Sequence, residues 1–168
     1  MGRLHIVIFV VVAGLISFMQ VHTVSGQQVD WGCFHHDSSR TGLSPLTGDM
    51  DSVVVLWSYT AGGAIESSPT LGDVDGDGRL EVVVGSNDFK VYALNGEDGS
   101  ELWSHRTGDL VQSSPALGDI DDDGSLEVVV GSNDFNVYGL NGEDGSVLWS
   151  HTTGDLVQSS PALGDIEG

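Results

Sequence analysis

A tandem repeat of 46 residues constrains this chain more than any other feature. Residues 67–112 and 113–158 align without a gap. They differ at Thr70/Ala116, Val74/Ile120, Gly76/Asp122, Arg79/Ser125, Lys90/Asn136, Ala93/Gly139, Glu101/Val147 and Arg106/Thr152, which leaves 38 of 46 positions identical. A partial copy comes first, since VLWSYTAGGAIESSP (55–69) matches ELWSHRTGDLVQSSP (101–115). Another copy starts at Ser159 and reaches Gly168 inside its own acidic loop, so the chain reads as a fragment of a longer array. Repetition at this period specifies a unit that covers its apolar surface with copies of itself.

Each unit holds four short strand candidates and no helix. The first lies around Val111 to Leu117. The second is Leu80 to Gly85, copied at Leu126 to Gly131. The third is Lys90 to Leu94, copied at Asn136 to Leu140, and the fourth is Glu101 to His105, copied at Val147 to His151. Val, Leu, Tyr and Trp dominate these runs, as half-buried pleated strands prefer. Ser86-Asn87-Asp88 and Asn95-Gly96-Glu97-Asp98-Gly99 separate them with residues that tolerate positive φ. Four antiparallel strands per 46-residue repeat predict an all-β chain of β-propeller blades, with blades over 65–106 and 111–152. Residues 53–168 then hold the last strand of a preceding blade, two full blades and the start of a third. That is too few to close a ring of roughly four to eight blades, so the ring is incomplete and open edges invite further blades or self-association.

The loop between the first two strands reads GDVDGDGRLEVVVGS (72–86) and GDIDDDGSLEVVVGS (118–132). Numbered from Asp73, carboxylates fall at positions 1, 3, 5 and 9, namely Asp73, Asp75, Asp77 and Glu81, with Gly78 after the third. The copy gives Asp119, Asp121, Asp123 and Glu127, with Gly124. Alternate carboxylates on a tight loop turn toward one centre, and the carbonyls of Arg79 and Ser125 can add a donor at position 7. Hard oxygen donors in this number suit Ca²⁺, which takes 6–8 ligands in tolerant geometry; Mg²⁺, stricter and slower to shed water, ranks second. An EF-hand needs Glu at position 12 and flanking helices. Position 12 here is Val84 or Val130, inside a strand. A solvated Asp-Gly turn is the plain alternative, but it does not account for four mutually repelling carboxylates at a spacing kept in both copies.

The DxDxDGxxE pattern running into EVVVGS resembles the FG-GAP repeats of integrin α-subunit propellers and their microbial relatives. That resemblance implies calcium held between the first two strands of a blade by Asp73, Asp75, Asp77 and Glu81, and by their counterparts 46 residues on. FG-GAP loops usually end in Asp, so Glu81 and Glu127 depart from the pattern. A second resemblance rests on ALNGEDGSELW (93–103) and GLNGEDGSVLW (139–149), which look like the tryptophan-docking motif of quinoprotein (PQQ-type) propellers. WGCFHHDSSRTGLSP (31–45) also looks like the segment before the first blade of secreted PQQ-like repeat proteins. It implies that Trp57, Trp103 and Trp149, spaced 46 apart, each pack on the tight turn of a neighbouring blade.

The bulk composition bears on partners. With 25 acidic and 5 basic residues the formal charge is −20, which disfavours nucleic acid and anionic membrane surfaces. Met1-Gly2-Arg3, the apolar run Ile6 to Met19 and the small residues Ser25 and Gly26 predict a secretory signal peptide over 1–26, followed by a lead-in segment over 27–52. Fourteen apolar residues are short for a membrane span, which needs about 20; an uncleaved N-terminal anchor is the alternative. The chain is expected to be secreted, periplasmic or at the cell surface. Cys33, the single cysteine, has no internal disulfide partner.

A quinoprotein enzyme would need basic groups for the quinone carboxylates and a catalytic aspartate beside calcium. Outside the leader the only basic residues are Arg40, Arg79, Lys90 and Arg106, and the last three become Ser125, Asn136 and Thr152 in the copy. Catalytic sites are unique constellations, whereas almost everything here is duplicated. His35-His36-Asp37 lacks a third spaced metal ligand, and His105 and His151 read as strand histidines. The expected function is therefore a calcium-binding, non-catalytic propeller module for adhesion or surface interaction with a protein or glycan. A fragment of a PQQ-type enzyme and the scaffold of an envelope complex stand as the alternatives.

Overall fold

The computed structural model describes residues 3–12, 15–25 and 53–165. Eleven strands form three antiparallel sheets, and the described residues contain no helix. Nothing there is a helix long and apolar enough to cross a membrane. The lead-in segment, Cys33 and the His35-His36-Asp37 cluster lie outside the described residues.

The two repeats give two sheets of four strands each. The first contains β4 (Thr70–Gly72), β5 (Glu81–Ser86), β6 (Lys90–Asn95) and β7 (Glu101–Arg106), and the second contains β8 (Ala116–Gly118), β9 (Glu127–Gly131), β10 (Asn136–Leu140) and β11 (Val147–Thr152). In both, every strand pairs with its neighbour in sequence, which is the meander of a propeller blade. A third sheet has the order β1 (Arg3–Val12), β2 (Leu15–Ser25) and β3 (Val53–Thr60). Here β3 runs beside β2 as β7 runs beside β6. Both ladders slip by one residue at the same place, between Phe18 and Met19 and between Ala93 and Leu94. The apolar N-terminal segment is thus described as two strands, and β3 sits as the fourth strand of a blade-like sheet.

The first strand of each blade is shorter than the sequence suggests, covering Ala116–Gly118 rather than Val111 to Leu117. The backbone ladder is handed to a side chain there. In the first blade the Ser67 hydroxyl donates to the Gly85 carbonyl at 3.0 Å and accepts from the Gly85 N–H at 2.8 Å. Ser113 accepts from the Gly131 N–H in the same way. Pro69 and Pro115, two residues further on, have no N–H to give to the ladder.

The second strand departs from expectation in another respect. Every residue of Glu81–Ser86 is buried, so it is not a half-buried strand. Val82 and Val84 face one core with Trp57, Ile65 and Leu94, while Val83 faces the other with Trp103, Val111 and Val128. A strand covered on both faces has no need for polar alternation, which explains the unbroken VVV. The two cores lie between successive sheets, so each blade is held mainly by its neighbours.

Tryptophan sets the spacing between sheets. Trp57 Nε1 donates to the Gly96 carbonyl at 2.8 Å, and Trp103 Nε1 donates to the Gly142 carbonyl at 2.6 Å. The turn beneath each indole bends through a glycine at positive φ, Gly99 at 73° and Gly145 at 70°. A Cβ on Gly99 would stand 2.3 Å from the Trp57 ring, and one on Gly145 would stand 2.5 Å from Trp103. Around the inner strands, equivalent residues of successive repeats bond to each other. The Ser114 hydroxyl accepts from the Ser68 N–H at 2.8 Å, and the Ser160 hydroxyl accepts from the Ser114 N–H at 3.3 Å.

Gly99→Ala and Gly145→Ala therefore combine left-handed strain with a steric clash against a buried ring. Each should lower the unfolding free energy by about 3 kcal/mol, adding roughly 1–2 for the backbone to roughly 1–3 for overpacking. Denaturant unfolding that shows an unchanged midpoint in both variants would contradict this packing.

Candidate metal centre

Both acidic loops curl so that three carboxylates converge. In the first blade, oxygens of Asp73, Asp75 and Glu81 all lie within 4.8 Å of one another, and in the second the group is Asp119, Asp121 and Glu127. Residues eight apart meet because the loop reverses before β5 and β9. Gly78 at φ 87° and Gly124 at φ 91° make that reversal, a conformation side chains resist. The Gly78 N–H donates to Asp73 Oδ2 at 2.9 Å, and the Gly124 N–H donates to Asp119 Oδ2 at 3.0 Å. In the second loop Asp122, where the first has Gly76, also adopts positive φ, 62°.

Glu81 and Glu127 anchor the two groups from below. Each opens its strand and is almost fully buried, at 1% exposure. Glu81 Oε2 accepts from the Val74 N–H at 3.0 Å, and Glu127 Oε2 accepts from the Ile120 N–H at 2.8 Å. Glutamate thus bonds back across the loop while keeping its carboxylate beside the aspartates. Burial pushes the Glu81 carboxyl up to about 7; the Val74 N–H opposes this, and Asp75, Asp77 and Asp73 add to it. Glu127 is raised by the same causes, burial first. Among the described residues, the buried oxygen Asp73 Oδ1 has no hydrogen-bond partner.

Asp77 and Asp123 stand outside the converging groups. Their Oδ1 atoms accept from the Arg79 N–H at 2.8 Å and the Ser125 N–H at 2.7 Å, which tightens the turn. The Arg79 side chain points away and pairs with Glu97. Sequence reading missed a different pair of aspartates. Asp88 Oδ2 accepts from the Gly62 N–H at 2.7 Å and from Tyr92 Oη at 2.6 Å. Asp134 Oδ2 does the same with Gly108 and Tyr138, each at 2.7 Å. These carboxylates tie the turn between the second and third strands to the connector that enters the blade. Their recurrence at a spacing of 46 was the available signal, but Ser-Asn-Asp reads as an ordinary turn.

The donor set fits a hard divalent cation. It is made of oxygen alone, it carries three carboxylates with little compensating charge, and it leaves one buried oxygen unsatisfied. Carboxylates this close repel one another unless one is protonated or a cation intervenes. His105 makes no part of it. Its Nδ1 lies 3.1 Å from the Gly145 carbonyl and its ring tilts against Tyr138, so it is an inter-blade contact whose pKa is held down chiefly by burial.

A family profile described as outer membrane protein assembly factor BamB matches residues 49–168. Similar solved structures include the crystal structure of BamB from Moraxella catarrhalis, at 25% identity and a TM-score of 0.45, covering 63% of this chain and 29% of that one. They also include a europium-containing methanol dehydrogenase, at 13% identity and a TM-score of 0.54, covering 90% of this chain and 23% of that one. The methanol dehydrogenase likeness shows a shared fold. The chain spans less than a third of the length of either solved protein. No curated protein matches it.

The glutamate shifts fix the sign of a pH effect in metal-free protein. A carboxyl whose folded pKa lies above its unfolded value of 4.5 contributes most below that value, and the contribution fades as pH rises through about 7. His105, shifted down from 6.5, acts in the opposite sense and weakens the fold as pH falls. Two glutamates outweigh one histidine, so with a chelator present the denaturation midpoint should be higher at pH 5.5 than at pH 7.5. Glu81→Gln, which can still accept from Val74, should flatten that difference. A midpoint that rises with pH in wild-type protein under chelator would contradict the carboxylate crowding.

Proposed function

The chain belongs to the family described as outer membrane protein assembly factor BamB, whose profile covers residues 49–168, and we propose that it is an exported, calcium-stabilised propeller module that binds a partner and performs no chemistry of its own. One observation carries the reading: in both blades a carboxylate trio converges around a buried glutamate, with oxygens within 4.8 Å of one another. The likeness of these loops to FG-GAP repeats supports calcium as the ion. Asp73, Asp75 and Glu81 would supply side-chain oxygens in the first blade, and Asp119, Asp121 and Glu127 in the second. Asp77, Asp123 and the carbonyls of Arg79 and Ser125 would complete the shell. Calcium there would neutralise the loops and pin the first strand of each blade to the second.

The leader-like composition of residues 1–26 supports export. The family description favours a more specific use, in which the module is a scaffold component of an envelope assembly and its partner is a protein or glycan met outside the cytoplasm. A catalytic quinoprotein role has less support. The likeness to methanol dehydrogenase extends to the fold, and the described blades duplicate nearly every polar group they carry.

Calcium melting curves test the proposal. A ligand at about 100 times its Kd adds roughly 2.7 kcal/mol per site, so millimolar calcium should raise the Tm by roughly 10 °C over chelator. Asp75→Asn combined with Asp121→Asn should abolish the rise. Identical melting curves with calcium and with chelator would refute the calcium reading.

A further inference from the structure

Asp73, the first carboxylate of the first acidic loop, stands between Gly72 and Val74, and both neighbours press on the second blade. A Cβ on Gly72 would stand 2.6 Å from Leu117 and 3.1 Å from Leu126. Val74 is 1% exposed and lies in the core that Trp103 shares with Val128 and Leu140 of the second blade. Its carbonyl would stand 2.8 Å from a Cβ on Gly142. The carbonyl of Gly142 in turn accepts from Trp103 Nε1 at 2.6 Å. Val74 and Trp103 therefore hold the same turn residue of the neighbouring blade.

The backbone of Val74 is set by the carboxylates around it. Its N–H donates to Glu81 Oε2 at 3.0 Å, and in sequence it lies between Asp73 and Asp75, the other two members of the converging group. Asp73 Oδ1 is buried and has no hydrogen-bond partner among the described residues. A cation that takes this oxygen fixes Asp73 and with it the residues on either side, and close packing passes that constraint to the second blade. The second loop has equivalent carboxylates but a different connection. Ile120, the copy of Val74, is only partly buried, and a Cβ on Gly118 would meet Leu163 of the partial repeat that follows.

From this we infer that the first loop is a metal-controlled joint. A divalent cation held by Asp73, Asp75 and Glu81 locks the second blade against the first through Val74, whereas an ion in the second loop leaves this joint unaffected. The inference rests on the calcium reading of the site and adds what the ion controls. Coupling of this kind is reciprocal: an ion that favours docked blades is bound more tightly by docked blades. Docking of Trp103 therefore sets the affinity of a site to which it contributes no ligand.

Two measurements on the full chain test the joint. Exchange of the Trp103 indole proton, followed by NMR with isotope-labelled tryptophan, reads blade docking, and calorimetric titration with calcium reads the sites. In Asp121→Asn protein, which keeps the first site, calcium should slow Trp103 exchange about tenfold. In Asp75→Asn protein, which keeps the second, the exchange should hardly change. Val74→Ala, added to Asp121→Asn, should still take up calcium at saturation but lose most of the slowing. Trp103→Phe in the same background keeps a ring in the core, and should weaken calcium binding about tenfold. Equal slowing in both single-site proteins would mean that the ion acts through overall stability, and overturns the joint. Slowing that survives Val74→Ala, or an affinity unmoved by Trp103→Phe, overturns it as well. In each of those cases calcium binding to the unsubstituted chain leaves the calcium reading standing. Absence of that binding refutes the calcium reading and the joint together.

Discussion

The architecture depends on an indole laid over a glycine turn. Trp57 on β3 and Trp103 on the last strand of the first blade each reach a carbonyl of the neighbouring blade's turn and press a ring against a residue that can have no side chain. That contact sets the distance between sheets. With the distance fixed, the second strand of each blade is covered on both faces, and its run of valines becomes an asset instead of an exposed liability. The serine contacts between successive inner strands follow from the same spacing, because equivalent residues of neighbouring blades then stand within hydrogen-bond reach. Trp149, the third of the series, lies 41% exposed along a strand that is open throughout, which shows what the docking contact does by what happens without it.

The acidic loops work against this economy. Glu81 and Glu127 are among the most buried side chains of the described residues, yet each stands beside aspartates of the same sign. The backbone N–H that each accepts lessens the penalty and does not remove it. Each glutamate starts from the strand and is long enough to reach both the loop N–H and the carboxylate group.

Much of the fold was legible because the repeat removed ambiguity. Two copies of the same turns, Asn-Gly-Glu-Asp-Gly and Asp-Gly, fixed the ends of three strands in each blade, and the resemblance of residues 93–103 and 139–149 to a tryptophan-docking motif implied the contact that Trp57 and Trp103 make between sheets. The first strand was read too long because apolar Val111 and Leu117 suggested a continuous run. Ser113 and Pro115 between them divert the ladder through a hydroxyl, an exchange that no propensity reveals. The candidate site was legible as a set of carboxylates, of which Asp73, Asp75 and Glu81 converge. The turn-tightening part of Asp77, and the bracing of the blade by Asp88 and Asp134, depend on where backbone N–H groups point, which sequence spacing does not encode.

The near-identity of the two repeats carries a hazard for folding. The two repeats are identical at 38 of 46 positions, so little in side-chain chemistry distinguishes a correct partner strand from its duplicate. Exchange of hairpins between units, or between molecules, would leave almost every bond intact. Protection comes from connectivity: each sheet is sewn in order by turns of a few residues, and closing a short turn outpaces any search for a remote equivalent. The chain avoids scrambling by speed of local closure, so lengthening one of those turns would promote swapped assemblies sooner than it would weaken the native blade.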